Sequence, residues 1–259
     1  MNKSVQIVVA VVIVAVAVAG YYFWQQRQQP APAPTLAVTP PPPPPAAPAA
    51  EPQILHPIES PAPPPSVEHS EATMVSALQD MLGKKALALL LTDRMIHRIV
   101  ATVDALPRRK APTSVWPVKP VPGSFVTTGS EGDLAIAADN AARYAPYAAL
   151  ARSVDARRLV DLYRSYYGLF QRAYQELGYP KGYFNDRLIE AIDDLLDAPE
   201  PAEPVRLVQP KVLYQFADPD LESRSAGQKI MIRMGVKNAK IVKAKLREIR
   251  QVLTGGGAR

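Results

Sequence analysis

The 259-residue chain has no cysteine. That excludes a disulfide framework, a thiolate nucleophile and a cysteine metal site, and leaves the redox compartment open. Histidine is nearly as scarce. His56 and His69 lie in or beside a proline-rich stretch and only His97 falls in a helical pattern, which is too few and too scattered for a metal ligand set, so no cofactor is expected. The Gly129-Ser130-Glu131-Gly132 turn lacks the lysine and the strand-to-helix setting of a nucleotide-binding loop. Acidic residues are almost missing from the end of the chain. Residues 226–259 carry nine Lys or Arg against the single Glu248, a net +8 within a chain of net +6, so residues 1–225 are slightly acidic at −2.

What is abundant is proline, and its distribution divides the chain. Residues 1–4 form a short tail with Lys3. Residues 5–24 then run without a charge from Val5 to Tyr21, Tyr22, Phe23 and Trp24. Twenty apolar residues at about 1.5 Å each just cross a hydrocarbon core of roughly 30 Å, and the terminal aromatics suit the headgroup belt, so a transmembrane helix is expected. A cleaved signal peptide is the alternative, because Ala17-Val18-Ala19 matches the small-x-small rule. The weak charge bias, Lys3 against Arg27, favours a cytoplasmic amino terminus and a periplasmic domain at the bacterial inner membrane, with the reversed topology as the other option. Residues 25–65 are a linker in which sixteen prolines fall between Pro30 and Pro65. Such a disordered, polyproline II-prone segment spans on the order of 110 Å at about 3.1 Å per residue and cannot form a core.

Residues 66–254 read as an all-α domain of about seven helices with minor β-hairpin and extended pieces, followed by a flexible tail at 255–259. Ser70 is placed as the cap of a first helix and Thr92 as the cap of a second that Pro107 ends. His97, four residues after Asp93, predicts an ion pair on the solvent side. Trp116 is the anchor of a proline-rich, basic loop, and residues 125–136 predict a small hairpin. Asp139 caps a helix that Pro146 bends or splits, and Ser153 caps the next. Apolar residues at 159, 163, 166, 170, 173 and 177 predict one long aromatic helix, and Phe184, Leu188, Ile192, Leu195 and Leu196 a second arm across the Gly178–Gly182 turn. Residues 205–216, with Pro210 inside, are at best an edge strand. Ser225 and Gln228 form a capping box, and residues 236–253 a final helix.

Two charged stripes are the candidate partner-binding residues. Asp186, Glu190, Asp193 and Asp197 recur at i, i+4, i+7 and i+11 behind the apolar face of the second arm. Lys240, Lys243, Arg247 and Arg250 run along the final helix beside the seam of Ala239, Val242, Leu246, Ile249 and Leu253. The basic stripe suits an anionic surface or an acidic protein face, and pairing with the acidic stripe inside the domain competes evenly; nucleic acid is the least favoured partner. One catalytic alternative exists. The Glu222-Ser223 pair ahead of the helix at residue 226 is similar to the glutamate-serine motif of lytic transglycosylases, which implies peptidoglycan cleavage with Glu222 as acid and base, but the similarity is confined to that stretch and its spacing is too short.

The segments 142–147 (ARYAPY), 178–186 (GYPKGYFND) and 209–214 (QPKVLY) resemble those of an uncharacterised proteobacterial family of single-pass membrane proteins with a proline-rich linker and a domain of unknown function. The resemblance implies a bacterial envelope protein and carries no activity, cofactor or catalytic residue. The expectation is a membrane-anchored, non-catalytic interaction module with a protein partner in the envelope. The alternatives are a cell-wall-active enzyme and a binder of anionic lipid or nucleic acid through the final helix.

Overall fold

The computed structural model describes residues 53–58, 67–130 and 132–255. The expected transmembrane stretch at 5–24, most of the proline-rich linker and the last residues of the tail lie outside the described residues. Among those described, no helix is long and apolar enough to cross a membrane.

The fold is mostly helical with two short β-hairpins. In chain order it comprises α1 (Val67–Leu82), α2 (Lys84–Leu87), α3 (Met95–Ala105), a 3-10 turn (Thr113–Val115), β1 (Thr127–Thr128), β2 (Ala135–Ile136), α4 (Asn140–Ser153), α5 (Ala156–Ser165), α6 (Tyr167–Glu176), α7 (Phe184–Leu196), β3 (Leu207–Val208), β4 (Gln215–Phe216), α8 (Pro219–Ser223), α9 (Ala226–Arg233) and α10 (Val236–Leu253). The first antiparallel pair has Thr127 opposite Ile136, and the second has Leu207 opposite Phe216. Pro210 therefore sits in the connection of a real hairpin, not within a single edge strand, so it removes no ladder donor.

Helix α7 is the centre of the assembly. Its apolar face touches α3 and α6 on one side and α10 on the other, while α9 covers its C-terminal half. On the α3 side, Met95, Val100, Phe170, Tyr174 and Phe184 join Met74 and Leu78 of α1 in the largest apolar cluster. On the α10 side, Val160, Ile189, Ile192 and Leu253 form a second. Phe170 and Phe184 lie nearly parallel with centroids 5.9 Å apart, and Tyr174 and Tyr179 stack at 4.6 Å, so the aromatic stripe is chiefly core.

Several local expectations change. The aromatic stripe does not run as one helix: Tyr166, at φ −110° and ψ 9°, separates α5 from α6. The break redirects the stripe, because α5 packs on α10 whereas α6 packs on α3. Helix α5 is capped by Asp155, whose carboxylate accepts the Arg158 N–H at 2.9 Å; Ser153 donates back to the Leu150 carbonyl. Helix α1 begins at Val67, ahead of Ser70. Helix α3 begins after Arg94, which is left-handed at φ 50°, so Thr92 does not cap it. Asp93 consequently never lies one turn below His97. It pairs with Arg98 at 2.8 Å, and His97 meets Glu176 of α6 at 3.3 Å. Helix α4 continues through Pro146 without splitting. Asp139 makes no side-chain cap, and the fully buried Asn140 pins the first hairpin by accepting the Val126 N–H at 3.0 Å and donating to the Ala137 carbonyl at 2.9 Å.

Candidate peptide-backbone clamp

The four acids of the stripe, three within α7 and Asp197 at its C-cap, have four different surroundings. Asp193 grips Arg250 of α10 through both carboxylate oxygens, with Nη2 at 2.9 Å, and this contact holds Arg250 above its ordinary pKa. Glu190 pairs with Arg187 of its own helix at 2.7 Å. Asp197 is exposed and makes no ion pair among the described residues. Asp186 serves a remote stretch of main chain, described below. The basic stripe divides too. Lys243 is buried, with Nζ 2.6 Å from the Ala198 carbonyl and 3.3 Å from Glu200. Lys240 is exposed and 3.7 Å from Glu200, and Arg247 is exposed with no ion pair among the described residues. Only the Asp193–Arg250 contact joins the two stripes. The exposed basic residues of α10 are Lys237, Lys240 and Arg247, with Glu248 exposed beside them.

The best-defined polar constellation is at the start of α7. Its first turn presents Asn185 and Asp186, directly after Tyr183 at the N-cap position. The Asp186 carboxylate accepts the main-chain N–H groups of Leu55 at 3.0 Å and His56 at 2.8 Å. Asn185 donates to the His56 carbonyl at 2.9 Å, and the Tyr183 hydroxyl accepts the Ile58 N–H at 2.7 Å. A bend at Leu55–His56 turns two successive N–H groups toward one carboxylate, which is the geometry in which a short peptide binds an anion. We call residues 53–58 the strap.

The clamp is held from behind. Asn185 has no exposed surface, and its Oδ1 accepts the Tyr163 hydroxyl of α5 at 3.3 Å. The turn that delivers Tyr183 is fixed by Gln171 of α6, which donates to the Gly182 carbonyl at 2.7 Å and accepts the Phe184 N–H at 2.8 Å. Gly182 admits close packing there: a Cβ would meet the Tyr174 ring at 2.8 Å and the Tyr179 Cβ at 2.9 Å. Burial, followed by the neighbouring Tyr183, pushes the Tyr163 and Tyr167 hydroxyls well above their usual range, so both stay protonated donors near neutrality.

Asn185 and Tyr183 were not among the residues singled out from sequence, although a signal exists. Asn185 is in phase with Ile189, Ile192 and Leu196, so it is a polar residue on the buried stripe of α7, and a buried amide must find partners.

Nothing comparable is built around Glu222. Its carboxylate accepts the Phe216 N–H and Lys229 at 3.0 Å each. Burial works to raise its pKa, but these two partners outweigh it and the net value is lowered, which favours the ionised form over a proton donor. Ser225 caps α9 as the sequence predicts, accepting the Gln228 N–H at 3.0 Å, while the Gln228 side chain turns to Asp194 of α7 at 2.9 Å instead of closing the box. Among the described residues no group of three or more His, Cys, Asp or Glu could hold a metal ion. An apolar cavity of about 260 Å³ lies between the two main clusters, lined by Met74, Val160, Phe184, Ile192 and Leu253 among others, and Ile58 of the strap packs against both clusters.

A search of curated proteins and a search of solved structures each returned no match. A family described as protein of unknown function (DUF3014) does match, over residues 95–250, more than half of the 259 residues. The matched region takes in Tyr183, Asn185 and Asp186 and leaves the strap outside. The chain belongs to this family of unknown function.

Proposed function

We propose that the protein is a bacterial envelope protein, anchored in the inner membrane through residues 5–24 and spaced from it by the proline-rich stretch, whose helical domain acts in the periplasm as a non-catalytic interaction module. The observation that carries this reading is the clamp: Tyr183, Asn185 and Asp186 hold main-chain N–H and C=O groups of the chain's own residues 55–58 by side-chain contacts of the kind a peptide-recognition surface uses. The exposed tip of the second hairpin agrees with it, since Val212 and Leu213 are 86% and 77% exposed, an unusual place for two large apolar residues.

The test is photo-cross-linking in intact cells from a benzoylphenylalanine placed at Val212, followed by fractionation and protease protection. The expected result is a discrete cross-linked product in the membrane fraction that becomes protease-sensitive once the periplasm is opened. A soluble chain without a discrete product overturns the reading, as does release of soluble cell-wall fragments by the purified full-length protein.

A further inference from the structure

We infer that Tyr183, Asn185 and Asp186 form a binding site for a short bent peptide in which two residues with free N–H groups precede a proline and a branched aliphatic residue, and that the chain's own strap is a resident occupant which a partner's segment of the same pattern displaces. The inference rests on the reading of the domain as an interaction module and names its ligand.

The pattern follows from which atoms are held. Asp186 takes the N–H groups of Leu55 and His56, Asn185 the carbonyl of His56, and Tyr183 the N–H of Ile58. The residue between His56 and Ile58 is Pro57, which has no N–H, and no clamp group asks it for one. Proline also biases the residue before it away from the helical region, which keeps the His56 N–H and carbonyl open to side chains. Apolar side-chain selectivity enters at Ile58, which packs against both apolar clusters. Ile54 and Leu55 remain 53% and 69% exposed and contribute main chain or nothing.

The same list explains why the occupant is exchangeable. The strap commits one apolar side chain and four main-chain groups, a small interface whose occupancy depends on covalent attachment. Belonging to the same chain gives the strap a higher effective concentration at the clamp than a free peptide has. A partner that carries the same pattern and touches more of the domain has the advantage.

The probe is a fluorescein-labelled synthetic peptide of residues 51–60, followed by fluorescence anisotropy with the full-length protein in detergent. In Ile58→Glu the strap's anchor is expelled, and saturable binding of the peptide is expected. Wild type should bind it at least tenfold more weakly, because its own strap competes. Adding Asp186→Asn to Ile58→Glu should lower affinity at least tenfold in a chain that still unfolds cooperatively, and Ile58→Glu in the peptide should do the same. Absence of binding to a folded Ile58→Glu chain, or equal binding by the double variant, overturns the proposal. Should Ile58→Glu fail to fold, hydrogen exchange on wild type decides: saturating unlabelled peptide should deprotect the chain's own amides at Leu55, His56 and Ile58, and unchanged protection overturns it. Peptide binding without an in-cell cross-link sinks the envelope module and leaves the peptide site standing. A cross-link without peptide binding does the reverse.

Discussion

Asp186 and His56 stand 130 residues apart, yet the carboxylate of one accepts the main-chain N–H of the other at 2.8 Å. A long-range contact of this kind ties a stretch of proline-rich sequence to the first turn of the central helix. A carboxylate there also answers the unsatisfied N–H groups and positive end of the helix, so Asp186 is favoured locally as well as by the strap. The remaining acids of the stripe have other tasks, which is why a single role for the four never emerges.

Replacing Asn185 by Ala should be costly. The side chain has no exposed surface and satisfies the Tyr163 hydroxyl and the His56 carbonyl together. Leaving buried partners orphaned costs about 1–3 kcal/mol each way, so a loss of about 2–3 kcal/mol is expected in urea unfolding. Asp197→Ala, at the exposed C-cap of the same helix and without an ion pair among the described residues, should stay within about 0.5 kcal/mol.

The basic stripe of α10 separates in the same way. Lys243→Glu puts a carboxylate at a buried position against the Ala198 carbonyl and beside the exposed Glu200, and an uncompensated buried charge typically costs about 3–5 kcal/mol. Arg247→Glu, on the exposed side, should leave the unfolding midpoint nearly unchanged. Equal thermal shifts in the two variants would contradict the orientation of α10.

Much of the helical architecture was legible because periodicity reports burial directly. The stripe at 184–196 and the cap at Ser225 are read from spacing alone and recur in the structure. Local backbone departures were not legible. Arg94 in the left-handed region and the break at Tyr166 carry no composition signal, and each shifts a helix boundary. The first of them is enough to replace the expected His97–Asp93 pair by His97–Glu176 and Arg98–Asp93. The clamp was half legible. Asp186 stood out as one of a charged series, but its partner is main chain, and an N–H group has no letter in the sequence. Asn185 was hidden because the stripe was scored by its apolar members.

Acid stability gives a signed test for Glu222. Its folded-state pKa lies below the ordinary carboxylate value because the Phe216 N–H and Lys229 outweigh the opposing effect of burial. A lowered carboxylate contributes stability that is present above the unfolded pKa and is lost as pH falls through the folded one. Glu222→Gln should therefore be less stable than wild type at pH 7, with the difference shrinking toward pH 3. Urea unfolding across that range checks it, and a difference that grows on acidification would reverse the sign.

The cavity between the two apolar clusters predicts that adding one carbon has opposite effects at two sites. Val160 is 1% exposed and lines a space of about 260 Å³. Ile in its place keeps a similar helix propensity and puts one methylene into that space, a gain of up to about 0.8 kcal/mol. For a domain of this size that corresponds to roughly 2–3 °C in melting temperature. Gly182→Ala also adds one carbon, but its Cβ meets the Tyr174 ring at 2.8 Å and the Tyr179 Cβ at 2.9 Å, so overpacking of about 1–3 kcal/mol is expected. Differential scanning fluorimetry of the two variants should give shifts of opposite sign. A fall for Val160→Ile would mean that the space does not admit the added methylene in a relaxed rotamer.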